Sequence, residues 1–144
     1  MYLSKKIFVN GTFDVLHTGH LNLLKAAKDL GGFVLVAIDS DSRVKKLKGK
    51  DRPINNQADR VEMLLALRYV DKVIVFSTNA ELEYVCKTFH PDVMVKGSDY
   101  IDKPIIGARW CDDIHYVELN DKSTTKTIES ITDRGRLSGH LHVC

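Results

Sequence analysis

The sequence predicts a three-layer α/β/α sandwich built on a five-stranded parallel sheet. Two observations carry this. Short apolar, β-branched runs alternate with amphipathic stretches of helical period along most of the 144 residues. Strands that alternate with helices form βαβ units, which pair in parallel and bury both sheet faces. The second of these runs, FVLVAI, has almost no polar residue, as a strand covered on both sides requires.

The elements follow in order. Ile7, Phe8 and Val9 mark a first strand from about Lys5 to Asn10. From Thr18 the period changes: Leu21, Leu24, Ala27 and Lys28 share one side of a helix, with Leu23, Ala26 and Leu30 beside them. Thr18 is the expected N-cap and Gly31-Gly32 the stop. Phe33 to Ile38 is strand two. Asp39 to Asn56, polar and basic, reads as a long functional loop. A helix is expected from Gln57 to about Tyr69, then KVIVF as strand three and a helix over Ala80 to Phe89 that Pro91 blocks. DVMVKG is strand four, Ile105 to Cys111 a short helix, and IHYVEL strand five. Ser123 to Ile131 is the last helix, capped by Ser123 or Thr124, and residues 133–144 form a tail after a domain of residues 1–132.

Composition narrows the function classes. Hydrophobic content of 44% and charged content of 28% are ordinary for a globular domain, and a formal net charge of +2 argues against a sequence-blind nucleic-acid binder. Three scattered cysteines without a CxxC pair suggest neither a disulfide framework nor a zinc knuckle, and fit a reducing, cytoplasmic setting. The N-terminus lacks a signal-peptide run, and the apolar run Phe33–Ile38 is far too short to cross a bilayer, so no membrane partner is expected.

In such a sheet, ligands bind beyond the carboxyl ends of the strands. Four segments converge there. The first is HTGH. A helix N-terminus attracts anions through unpaired N–H groups, Gly19 admits an anion to the backbone, and His17 and His20 can donate to one phosphate. One histidine alone would read as packing; two flanking a glycine favour an anion site, and zinc lacks a convincing third ligand. The second is the basic loop, where Lys48, then Lys46, are the candidates for outer phosphates. The third is KGSDY, where Lys96 lies beside Gly97, which offers close backbone approach, and Asp99 offers a hydroxyl or metal contact. The fourth is KSTTK, where Ser123, Thr124 and Thr125 open a helix and suit phosphate, although plain capping is the commoner role. There is no GxxxxGK[ST], no GxGxxG after strand one, and no evident covalent nucleophile. Positioning and charge stabilisation of direct displacement at phosphorus fit best.

GTFDVLHTGH, a basic loop and a late STTK together resemble the HxGH nucleotidyltransferase superfamily and its Rossmann-like cytidylyltransferase branch. Within that branch the stretches VAIDSDSRVKKLKGKDRPIN, QADRVEMLLAL, PDVMVKGSDY and STTKTIESI are similar to the adenylyltransferase domain of bacterial ADP-heptose synthesis. The resemblance covers about Lys5 to Ile131. It implies that AMP passes from ATP to heptose 1-phosphate, with Mg2+ and release of pyrophosphate. It implies that His17 and His20 stabilise the α-phosphate and that Lys48 meets the outer phosphates. Gly11, Thr12 and Phe13 would line the nucleotide site, Gly97 and Asp99 hold the nucleoside, and Ser123 and Thr124 hold phosphates. Asp14 and Arg52 are candidates for the sugar. Glycerol-3-phosphate cytidylyltransferases usually carry RTxGIS before TTK, whereas this chain has LNDKSTTK. A CTP-dependent enzyme on a polyol phosphate stays an alternative, as does a nucleotide-binding module without turnover. A homodimer is expected, and any sugar kinase would be a separate polypeptide.

Overall fold

The computed structural model describes residues 4–119 and 124–138, with the side chains of 135–138 left aside. Five strands form one parallel sheet in the order β3-β2-β1-β4-β5: β1 Lys5–Gly11, β2 Gly32–Asp39, β3 Lys72–Phe76, β4 Val93–Gly97 and β5 Asp113–Val117. The helices are α1 Thr18–Asp29, α2 Asp41–Lys48, α3 Gln57–Leu65, α4 Asn79–Phe89 and α5 Thr124–Ser138.

Strand alternation divides the core in two. Ile7 and Val9 face the layer that holds Leu24 and Ala27 of α1 and Leu64 of α3. Phe8 faces the other way, with Leu35, Met94 and the α4 residues Leu82 and Cys86. Ile7, Phe8 and Val9 are all fully buried, because β1 is the central strand and is covered on both faces.

The structure departs from the expected elements in five places. Helix α5 runs to Ser138, past the expected end at Ile131 and through the first residues of the stretch read as a tail. The N-cap of α1 is His17, one residue before Thr18. The basic segment read as a loop contains α2, capped by the Ser40 side chain, which accepts from the Arg43 amide at 3.2 Å. A two-turn helix with one buried residue, Val44, leaves too short an apolar pattern to stand out among lysines. Helix α3 stops at Leu65, where 3₁₀-type bonds from Leu67 to Leu64 and from Val70 to Leu67 tighten the chain into β3. The helix expected over Ile105–Cys111 shrinks to one 3₁₀ turn at Ala108–Trp110.

Candidate active site

A cleft of about 530 Å³ opens where the carboxyl ends of the strands meet the starts of α1 and α5. That volume is in the range of small-ligand sites. The start of α1 forms one wall. His17 Nδ1 accepts from the Gly19 amide at 3.0 Å, and His20 Nδ1 accepts from the His17 amide at 3.2 Å. This is a capping box made of two imidazoles. The rings stack with centroids 3.8 Å apart and 25° between planes, and Phe13 packs against His20 at 5.1 Å.

The cap sets the chemistry. An Nδ1 that accepts from a backbone amide carries no proton, so the neutral ring carries its proton on Nε2. Burial, then His17 and then Lys48, hold the His20 pKa down to about 4. At neutral pH His20 is therefore a neutral Nε2–H donor, fixed in orientation by the backbone it caps.

Opposite stand the cations. Lys48, at the end of α2, and Arg52 both line the cleft. Burial, then Arg52, lower the Lys48 pKa. Arg52 donates through Nε to Asp14 at 3.5 Å, while its Nη2 is buried without a hydrogen-bond partner among the described residues. Asp14 is itself a clamp: its carboxylate accepts from the amides of Ile54 at 2.7 Å and Asn55 at 2.8 Å. This pins the loop carrying Arg52 to the turn carrying His17.

The structure brings Gly11, Thr12, Phe13, Gly19, Lys96, Gly97, Asp99, Thr124 and Thr125 to the same cleft. A Cβ on Gly97 would meet the Asp99 carboxylate at 2.7 Å and Leu119 at 2.9 Å, so only glycine leaves the backbone open there. Thr124 turns its hydroxyl to the Val15 carbonyl at 2.9 Å, tying α5 to the β1–α1 turn. Lys46 does not reach the cleft. It is exposed, because helical spacing directs Val44 and Lys48 one way and Lys46 another. Ser123 lies outside the described residues.

Three residues escaped the sequence reading. Asp39, closing β2, accepts from Thr12 Oγ1 at 2.9 Å and from Arg43 Nε at 2.8 Å. Arg60 is 1% exposed and donates to the carbonyls of Thr12, Asp39 and Asn55 and to the Asp41 carboxylate. Its signal was a charge four residues before Leu64, on the apolar stripe of α3. Asn10 also lines the cleft, with Oδ1 buried and unpaired among the described residues.

The cytidylyltransferase-like family model matches residues 8–139. This chain belongs to the cytidylyltransferase-like family. It is accordingly a nucleotidyltransferase. Similar curated relatives are the "Bifunctional protein HldE" of Campylobacter fetus, 43% identical over 87% of this chain and 27% of that protein, and of Sulfurimonas denitrificans, 42% identical over 96% and 28%. The chain thus spans little more than a quarter of those relatives' length. Among solved structures, a lipopolysaccharide core biosynthesis protein from Thermoplasma volcanium superposes with TM-score 0.63 at 25% identity, over 83% of this chain and 99% of that one. Pantothenate synthetase from Thermus thermophilus shares the fold, with TM-score 0.62 at 13% identity over 90% of this chain and 64% of that one.

Proposed function

We propose that this cytidylyltransferase-like chain transfers AMP from ATP to heptose 1-phosphate and releases pyrophosphate. The observation that carries the reading is the two-histidine cap. It places oriented Nε2–H donors at a helix N-terminus, where partial positive charge already favours an anion. The likeness to HldE proteins and the ordered motif matches support the choice of a heptose phosphate and of ATP.

In this reading a sugar phosphate oxygen attacks the α-phosphorus in line. One P–O bond forms, the α–β bridging bond breaks, and pyrophosphate leaves with the electron pair. His17 and His20 donate to the α-phosphate as its equatorial charge grows. Lys48 and the unpaired Nη2 of Arg52 receive the outer phosphates. No residue is asked to form a covalent bond.

Magnesium belongs to this reading as part of the triphosphate substrate. Among the described residues no group of three or more His, Cys, Asp or Glu stands ready to hold a metal ion. Of the cleft carboxylates, Asp14 and Asp39 are already engaged by backbone amides, Thr12 and Arg43, which leaves Asp99. Bound magnesium supplies charge neutralisation between phosphates, and it is typically held largely by phosphate oxygens and water.

The test is pyrophosphate release across nucleoside triphosphates and sugar or polyol phosphates. ATP with heptose 1-phosphate should be the preferred pair; preference for CTP with a polyol phosphate would reassign the enzyme within its family. A homodimer and a cytoplasmic setting complete the proposal. A molecular mass by light scattering equal to one chain would remove the first.

A further inference from the structure

The cleft has two compartments, one on each side of the sheet edge. Val95 faces the α1 layer, as Ile7 and Val9 do, and Gly97 follows it under Leu119. The histidine cap, Phe13 and Thr124 belong to this side. Phe8 and Met94 face the α4 layer, so Asn10 and Lys96, each two residues further along, face it too. There the cleft wall combines the apolar Phe76, Leu82, Ile105 and Ile106 with the charged Lys96, Asp39 and Arg43.

Asn10 is anomalous in that wall. Its Oδ1 is buried, and its carboxamide makes no hydrogen bond among the described residues. A buried polar atom left unpaired costs stability, and natural chains keep few of them. Asn10 is in register with Ala37 on the central strand, where an apolar residue would pack without loss.

In-line displacement places the incoming oxygen opposite the leaving pyrophosphate. Seating the triphosphate on the α1 side would leave the side that Asn10 faces for the acceptor. We propose that the triphosphate takes the α1 side and that the Asn10 carboxamide determines acceptor specificity by pairing with a hydroxyl of a polyhydroxylated phosphate held in the α4-side compartment. This rests on the transfer reading above, but not on the sugar being a heptose.

The experiment compares the full chain with its Asn10→Ala and Asn10→Leu variants. Initial rates are measured against the acceptor and against singly deoxygenated acceptors, at saturating triphosphate. Asn10→Ala should raise the acceptor KM about tenfold, the worth of one hydrogen bond, with kcat and the triphosphate KM nearly unchanged. One deoxy acceptor should abolish the difference between the proteins. Asn10→Leu should lose the acceptor similarly yet melt no lower than the parent, since it removes only an unpaired group. A rise in triphosphate KM instead, or an equal penalty with every deoxy acceptor, would overturn the assignment of Asn10 alone. Absence of turnover by the parent with every polyhydroxylated phosphate would overturn the transfer reading and this inference together.

Discussion

His17 does two jobs that mutation can separate. Alanine removes both the capping acceptor and the Nε2–H donor. Asparagine keeps an acceptor at the cap position and removes the distal donor. His17→Asn should therefore melt close to the parent while kcat falls about 10²-fold or more, the usual cost of one transition-state donor. His17→Ala should add a stability loss of about 1 kcal/mol. Differential scanning calorimetry beside initial rates checks both, and full activity in His17→Asn would remove that ring from the chemistry. His20 gives a pH signature. Its pKa is about 4 in the folded chain against an ordinary 6.5. Between those values the unfolded chain binds the extra proton, so stability should fall as pH drops from about 6.5 to 4 and level off below. Above pH 7 this group contributes no slope. An NMR titration of the His20 ring should show a midpoint well below 6.5, moving upward when a nucleoside triphosphate sets negative charge beside it.

The elements around the cleft are held by two buried charges. Asp14 accepts the amides of Ile54 and Asn55, so Asp14→Ala orphans both and releases the loop between α2 and α3. Hydrogen exchange should accelerate at those two amides while β1 and β2 stay protected. Unchanged exchange there would show that other contacts hold the loop. Arg60 joins the β1–α1 turn, the end of β2, the start of α2 and the loop before α3. Arg60→Ala removes the donor to the Thr12, Asp39 and Asn55 carbonyls and the partner of the Asp41 carboxylate, which is itself partly exposed. A loss of about 3 kcal/mol or more in urea unfolding is expected, and Arg60→Lys should recover little of it, because one ammonium cannot span the fork. The same two residues show where the sequence was hard to read. Periodicity located β1, α1 and β2 to within two residues, because each buries a regular apolar face. Helix α2 escaped because it buries only Val44. Arg60 escaped because its partners come from segments up to 48 residues away, and no local pattern encodes them.

At the scale of the molecule the cleft gathers cations and carboxylates together, in a chain whose net charge is +2. Lys48, Arg52 and Lys96 all line it, and burial lowers the pKa of both lysines. Added salt should therefore weaken triphosphate binding through short-range screening, with little change in long-range association. Saturating triphosphate should raise the melting temperature, by an amount equivalent to about 2.7 kcal/mol at a hundredfold excess over Kd. Titration calorimetry across ionic strengths checks the first, and a thermal shift series the second. The sequence by itself determined the layers, the parallel sheet, the edge where the cleft opens and most of the residues that line it, because alternation, capping and glycine placement are local properties of the chain. Only the tertiary structure decided that the histidines cap their own helix and that burial keeps His20 a neutral Nε2–H donor. Only it showed that Lys46 points away, that Arg60 stitches the rim, and that Asn10 Oδ1 is buried in the cleft without a partner among the described residues. Each of those depends on which segments the crossovers bring together, and the chain's local pattern carries no record of them.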